Sequence, residues 1–320
     1  MGARVSSPPP GSGPAPARFG QPAVPPGPRT SAILFAWESV GELRRTLPAL
    51  LATAVDEVVV LYGGTDGSRE FVEGLRDPKL VSRFEERRLG KAEALNRGVD
   101  RATGSVVFLI SADVRFEPSV LEKLASGLGG GAGVAFPRVV PANVRGWVSR
   151  LGALLWQLRE VELEDATSSE LPFHGGELQA VRRELLDRLP PVVNDDALVC
   201  LRAHERGFSL VYVPEAVVEN TVPETVAELL EQRVRINFGH FQLRELGYAP
   251  ATLETVAWRH PGLFLRLLWR GILRRPRGLG LLPLLVLLEA WAILRGFVDH
   301  ETRADHLHWK LVRSGKFAAS

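Results

Sequence analysis

The chain has 320 residues, 45% of them hydrophobic, and a formal net charge of +2 at pH 7. This length is enough for one large domain or two small ones with a substantial core. A single cysteine, Cys200, excludes a disulfide framework and a cysteine-based zinc site, and it favours a reducing compartment.

Residues 1–29 are rich in Pro, Gly, Ser and Ala and lack the apolar core of a signal peptide. Such a segment cannot bury enough apolar surface to offset the entropy that it would lose on ordering. We therefore predict a disordered tail that carries no chemistry.

From Thr30 onward, short apolar runs alternate with segments of helical spacing. Strands are predicted at 31–37, 55–64 and 79–86 and from residue 106, and helices at 41–54, 66–77, 90–103 and after Pro118. This alternation predicts an α/β fold with a mostly parallel sheet flanked by helices. In such sheets ligands bind beyond the carboxyl ends of the strands.

The middle of the chain is less regular. A strand and a long helix are predicted over 136–166, and a glycine loop followed by a helix over 173–189. Residues 194–220 predict a helix that opens on two aspartates and then a strand, and 225–246 predict a helix with a basic middle. We expect residues 30–250 to form the main domain and 251–320 a separate helical region.

This helical region differs in composition. Arg266, Arg270 and Arg274 recur at four-residue steps and form a basic stripe on an amphipathic helix, which suits an anionic membrane surface. The hydrophobic segment 278–298 has the length of a bilayer span, but Glu289 and Arg295 each oppose a simple crossing. We predict a peripheral membrane-associating region, with a true span or a buried helical hairpin as the alternatives.

Two polar clusters lie in the first half of the α/β region. Asp66 follows a glycine turn after the second strand, where aspartates commonly serve turn chemistry. Lys91 and Asn96 open a helix, which suits either a phosphate or an ordinary solvated helix start.

Two further clusters carry carboxylates. Asp113 follows the apolar strand 106–110 and Ser111, and it either ends that strand or holds Mg²⁺ or Mn²⁺ on a diphosphate. Asp195 and Asp196 precede an apolar helix, where they act either as capping residues or as a general base.

The order of these segments resembles that of family-2 inverting glycosyltransferases of the GT-A fold, over roughly residues 31–246. The segment "GKAEALNRG" and its following strand are similar to the family's Gly-Lys-x-x-Ala-Leu-Asn segment and Asp-x-Asp strand end. The block "DDALVCLRAHERGF" resembles the family's acidic base motif. The segment "QRVRI" is similar to the Gln-x-x-Arg-Trp motif of processive members.

The resemblance implies roles for individual residues. Asp113 would bind Mg²⁺ or Mn²⁺ on the donor diphosphate, Arg235 and Lys91 would face that diphosphate, and Asp196 would be the general base. The remaining donor-side residues implied are Glu38, Asp66, Asn96 and Ser111, and the acceptor or sugar side comprises Gly175, Gly176, Asp195 and Gln232.

Four positions depart from the family pattern. Ser111 replaces the first Asp of Asp-x-Asp, and Tyr62 stands where the family often has an Asp that contacts the base of the nucleotide. Glu38 stands where the family has an Asn, and Ile236 replaces the Trp of the processive motif. These departures leave open a reduced activity or an unusual donor.

The predicted function is inverting transfer of a sugar from a nucleotide-diphosphate donor to a lipid-linked or glycan acceptor, at the cytoplasmic face of the cell membrane. The alternatives are a nucleotidyltransferase and a non-catalytic member that binds a nucleotide-sugar or a membrane partner. The lack of Gly-x-Gly-x-x-Gly after the first strand argues against a dinucleotide-binding domain. No nucleic acid partner is expected, and the oligomeric state stays open.

Overall fold

The computed structural model describes residues 28–166, 172–274 and 280–307. The predicted disordered tail lies almost wholly outside this part of the chain, as do the first two residues of the hydrophobic segment 278–298.

One mixed sheet of eight strands forms the centre of the molecule, with the strand order β3-β2-β1-β4-β7-β6-β8-β5. Strands β1 to β4 run parallel, as the alternation of strands and helices predicts, whereas β7 runs antiparallel to both β4 and β6. The strands are β1 (Thr30–Trp37), β2 (Glu57–Gly63), β3 (Leu80–Glu85), β4 (Val106–Ser111), β5 (Arg115–Phe116), β6 (Ala132–Pro141), β7 (Leu178–Arg182) and β8 (Ser209–Asn220).

Helices cover both faces of this sheet. Alternate residues of β1 therefore enter different hydrophobic clusters: Ile33 packs on one side, and Ala32 and Leu34 on the other. Strands buried on both faces read as continuous apolar runs, which is the pattern that the sequence shows. The helices are α1 (Val40–Leu51), α2 (Ser68–Gly74), α3 (Lys91–Val99), α4 (Ser119–Gly127), α5 (Trp147–Ala166), α6 (Asp195–Glu205), α7 (Val226–Glu245), α8 (Leu253–Arg259), α9 (Pro261–Arg274) and α10 (Leu282–Glu301).

Over residues 173–189 we predict a glycine loop followed by a helix, and the prediction of a helix is wrong. Strand β7 takes its place, followed by a single 3₁₀ turn. The alternation of Leu178 and Ala180 on one face with Val181 on the other suits the gap between β4 and β6. Backbone pairing with β4, from Ile110–Leu178 to Val106–Arg182, outweighs the local preference for a helix.

The C-terminal helix α10 packs along α7. Gly296 permits this approach, because a Cβ built on it would lie 3.0 Å from the backbone of both Val234 and Phe238. Glu289 accepts hydrogen bonds from Arg233 at 2.7 and 2.8 Å, so one of the two charges that oppose a simple membrane crossing is paired within the protein. The other, Arg295, pairs with Asp299 at 2.9 Å.

Within the described residues, no helix combines the length and the hydropathy that a membrane crossing requires. The predicted basic stripe does not face outward along its whole length. Arg266 is exposed, but Arg270 donates to Glu164 of α5 at 3.1 Å, and the side chain of Arg274 lies outside the described part.

Candidate active site

A cavity of about 300 Å³ opens beyond the carboxyl ends of β1, β2 and β4. We call it the polar cavity, because charged side chains from several elements meet in its wall. The lining residues that matter below are Tyr62, Lys91, Ser111, Asp113, Glu177 and Arg235.

A second cavity of about 590 Å³ lies between α5, α7, α9 and α10. We call it the apolar cavity, since helix side chains such as Trp156, Leu267, Leu285 and Ile293 line much of it. Asp196, Gly175 and Gly176 also lie in its wall. Glu177, Gln232 and Arg235 line both cavities, and the two spaces therefore adjoin at these residues.

Lys91 is the first residue of α3, after Gly90, which takes the left-handed conformation (φ 85°). Its ammonium nitrogen lies 3.4 Å from Asp195 Oδ2. Burial disfavours the charged form of Lys91, but the carboxylates of Asp195, Asp196 and Glu177 outweigh burial and raise its pKa. Lys91 therefore stays a cation in the wall of the polar cavity.

The two aspartates at the start of α6 have different surroundings. Asp195 is 3% exposed, and burial raises its pKa against the opposing effect of Lys91. Asp196 is partly exposed and lines the apolar cavity. A Cβ built on Gly176 would overlap the carboxylate of Asp196, so only glycine at 176 leaves that carboxylate its place. Of these two aspartates, Asp196 is therefore the one that a ligand in the apolar cavity can reach.

Asn194 precedes these aspartates but does not cap α6 with its side chain. Its amide instead donates to the carbonyl of Ile236 at 2.9 Å and packs against Gly239 of α7. The start of α6 is thereby held against α7, which carries Gln232 and Arg235 one turn apart.

Arg235 lies among the carboxylates of Asp113, Glu177, Asp195 and Asp196. Burial lowers its pKa, and these carboxylates oppose that effect by favouring the charged guanidinium. Together with Lys91, Arg235 supplies positive charge where the two cavities adjoin.

Glu177 is a site residue that the sequence analysis missed. Burial and then the charge of Asp113 raise the pKa of Glu177 to about 7. Asn220 donates to Glu177 Oε1 at 3.1 Å and fixes the carboxylate. The missed signal was the strand alternation of residues 178–182, since a strand paired with β4 brings the residue before it to the end of β4.

Three predicted donor-side residues do not occur among the described residues that line the polar cavity. Asp66 accepts from the backbone of Val40 and from Ser68, so it joins the starts of α1 and α2. Asn96 exchanges hydrogen bonds with the backbone of Leu189 at 2.8 and 2.9 Å. Glu38 adopts a left-handed conformation (φ 47°), and its N–H donates to Gly63. The side chains of Asp66 and Asn96 thus serve local architecture, whereas the charge of Glu38 acts on Arg88, which lines the polar cavity.

The sequence analysis also missed two buried histidines in the wall of the apolar cavity. His174 and His240 lie with ring centroids 6.0 Å apart, and burial lowers the pKa of each well below its ordinary value. Both imidazoles are therefore neutral. One nitrogen of each ring, Nδ1 of His174 and Nε2 of His240, lacks a hydrogen-bond partner among the described residues.

The oxygen atoms around Asp113 fit a hard divalent cation. Asp113 and Glu177 supply carboxylates, and Oδ1 of Asn220 is buried without a hydrogen-bond partner in the described part of the chain. Mg²⁺ and Mn²⁺ take oxygen ligands and keep few protein ligands when they also bind phosphates. Within the described residues, no group of three or more His, Cys, Asp or Glu side chains could hold a metal. A cation here would therefore fill its remaining coordination positions with water or with oxygen atoms of its substrate.

The mixed sheet, with a carboxylate at the end of its fourth strand and acidic residues opening α6, is that of a GT-A fold. A sequence model of the family described as "Glycosyltransferase like family 2" matches residues 26–239. The chain belongs to this family and is a glycosyltransferase, which confirms the family, fold and enzyme class predicted from the sequence.

Three solved structures are similar to this chain to different degrees. The mannosyltransferase PcManGT from Pyrobaculum calidifontis, in complex with GDP-Man and Mn²⁺, is 20% identical with a TM-score of 0.62, and the match covers 87% of this chain and 88% of that one. Glucosyl-3-phosphoglycerate synthase from Mycobacterium tuberculosis is 24% identical over 70% and 82% of the chains, with a TM-score of 0.45. S. aureus TarS is 18% identical over 66% and 39%, also with a TM-score of 0.45. Curated protein sequences give no match.

Proposed function

We propose that the protein transfers a sugar, with inversion, from a nucleotide-diphosphate donor to a lipid-linked acceptor. The observation that carries this proposal is the junction of a polar and an apolar cavity at Glu177, Gln232 and Arg235, with Asp196 in the apolar wall. The polar cavity suits the diphosphate, and the apolar cavity suits the hydrocarbon part of an acceptor. The fold shared with a mannosyltransferase bound to GDP-Man and Mn²⁺ supports the same assignment of donor.

The basic residues of the polar cavity bind and stabilise the departing diphosphate. Lys91 lies at the N-terminus of α3, where backbone N–H groups and the helix dipole also favour an anion. Arg235 faces the developing charge from α7. When Mg²⁺ or Mn²⁺ is bound, it neutralises charge on the diphosphate, and Asp113, Glu177 and Asn220 are the residues that would hold it.

Asp196 is the general base of the proposed reaction. It accepts the proton of the acceptor hydroxyl. At the same time the hydroxyl oxygen forms its bond to the anomeric carbon, and the bond from that carbon to the diphosphate breaks. Direct displacement inverts the anomeric carbon and needs no covalent nucleophile on the protein. Gly176 leaves room for the carboxylate, as the family resemblance implies for the glycine loop.

The outer surface of the C-terminal helices supports a membrane-bound acceptor. Among the described residues, seven large apolar side chains on α8, α9 and α10 are at least half exposed: Trp258, Leu265, Trp269, Val286, Leu287, Trp291 and Leu294. Exposed apolar residues beside Arg266 suit insertion into the surface of an anionic membrane, and the apolar cavity lies beneath the same helices. The cytoplasmic face remains our prediction for the location.

The test is sugar transfer from GDP- and UDP-sugars to a lipid-linked sugar, whose hydroxyl groups carry the proton that Asp196 would accept, in anionic vesicles with Mn²⁺ present. We expect one donor to give a product whose anomeric configuration, assigned by NMR, is opposite to that of the donor. Retention of configuration contradicts the displacement mechanism. Transfer to soluble glycans alone contradicts the lipid-linked acceptor.

A further inference from the structure

The register between β4 and β7 places Glu177 beside the residue that departs from the family pattern. Ile110 pairs with Leu178 in this antiparallel ladder, and one further step brings Glu177 opposite Ser111. The N–H of Ser111 donates to the carbonyl of Glu177 at 3.2 Å, which continues the pairing. Directly opposite residues in an antiparallel pair project on the same face, with Cβ atoms about 5 Å apart.

Both side chains therefore face the space beside Asp113. Ser111, Asp113 and Glu177 all line the polar cavity, and the charge of Asp113 acts on Glu177 strongly enough to be the largest effect after burial. Asn220 donates to one oxygen of Glu177, and its own buried Oδ1 has no partner among the described residues.

The other carboxylates near the junction are engaged differently. Asp195 is buried against Lys91 at 3.4 Å. Asp196 lies in the wall of the apolar cavity and is not among the described residues that line the polar one. Of these three carboxylates, Glu177 is the one that lines the polar cavity with Asp113.

We propose that Glu177 supplies from the neighbouring strand the carboxylate that Ser111 lacks, so that Asp113 and Glu177 together hold the divalent cation, with Asn220 Oδ1 as a further oxygen ligand. This inference rests on the metal-assisted transfer proposed above. The second carboxylate thus comes from the residue before β7 and not from the end of β4. Two negatively charged side chains still hold the cation.

Binding of Mn²⁺ alone, measured by the loss of the EPR signal of the free ion, tests the proposal without requiring activity. We expect Glu177→Gln to weaken Mn²⁺ binding by at least about tenfold, since removing even an outer-shell group costs 10–100-fold. Asp113→Asn should weaken it similarly. In the double variant Ser111→Asp/Glu177→Gln, a carboxylate returns to the family position, and most of the lost affinity should return with it.

Glu231→Gln is the matched control, because Glu231 is exposed and also lines the polar cavity. It should bind Mn²⁺ like the unmodified protein, and circular dichroism should show every variant folded. Unchanged binding in Glu177→Gln, with binding lost in Asp113→Asn, overturns the role of Glu177 and leaves the proposed function standing. An equal loss in Glu231→Gln, or no recovery in the double variant, also overturns that role. If the unmodified protein binds no Mn²⁺, the metal assistance in the proposed function fails as well.

Discussion

The two cavities that adjoin at Arg235 are built in opposite ways. The polar cavity takes Lys91 and Asp113 from a helix start and a strand end, where backbone groups are unpaired and charged ligands bind well, and Arg235 from the side of α7. The apolar cavity takes its wall from the sides of long helices, where apolar residues recur at helical spacing. The polar cavity therefore suits a charged ligand and the apolar cavity an apolar one, as the proposed transfer from a diphosphate donor to a lipid-linked acceptor requires.

The largest effect is expected at Asp196, in the wall of the apolar cavity. Asp196→Asn removes the proposed base while keeping the size of the side chain, so sugar transfer should fall by about 10³-fold. Donor binding, measured as a shift of the thermal unfolding midpoint, should stay nearly intact. Glu205→Gln, at the exposed far end of the same helix, is the control and should transfer normally. Undiminished turnover in Asp196→Asn would exclude Asp196 as the base.

A second prediction concerns the charges of the polar cavity. Lys91→Met leaves the buried carboxylate of Asp195 without its cation, and the free energy of unfolding should fall by about 3 kcal/mol. Adding Asp195→Asn should restore much of this stability without restoring donor affinity. The exposed pair Arg69–Glu73 offers a contrast, since Arg69→Met should cost about 0.5 kcal/mol or less. Chemical denaturation measures all three variants, and equal losses at both sites would break the distinction between cavity and surface.

The pH dependence of stability sharpens the account of the polar cavity further. The folded state raises the pKa of Glu177 to about 7, so in metal-free protein the folded form keeps a proton that the unfolded chain has already lost. This contribution to stability is complete below about pH 4.5 and is lost as pH rises to about 7, on the order of 1–3 kcal/mol. The free energy of unfolding of Glu177→Gln, taken relative to that of the unmodified protein, should therefore be higher at pH 8 than at pH 4. Parallel curves for the two proteins would contradict the raised pKa.

The smallest effect is expected in the apolar cavity. Two neighbouring residues of α10 lie on different sides of that helix, one towards the cavity and one on the outer surface. Ile293 lines the cavity, and Leu294 is 63% exposed on the outer surface. Ile293→Ser should raise the KM for a lipid acceptor about tenfold, because the lost apolar contact is worth one or two methylene groups. Vesicle binding should stay the same.

Leu294→Ser should show the converse, with weaker binding to anionic vesicles and an unchanged KM for a short-chain acceptor in detergent. Flotation of vesicles and initial rates measure the two quantities. If both variants change both quantities together, the cavity and the outer surface act as one site.

The sequence by itself determined the α/β class, the family and the parallel strands β1 to β4. Continuous apolar runs predict strands that are buried on both faces, and apolar residues at helical spacing predict helices. Both patterns are visible within a single segment, without knowledge of the segments it packs against. The sequence also indicated Lys91, Asp113, Asp196, Gln232 and Arg235, and the structure brings these residues to the two adjoining cavities.

Only the tertiary structure decided the rest. Residues 178–182 became a strand because β4 and β6 offered backbone partners on both sides, and that pairing brought Glu177 opposite Ser111. Asp66 accepts a hydrogen bond at the start of α1, and Asn96 donates to the backbone of Leu189. These partners are distant in the chain and are brought near by packing. The apolar cavity joins helices more than a hundred residues apart in the chain, such as α5 and α10, and no local pattern records which helix faces meet.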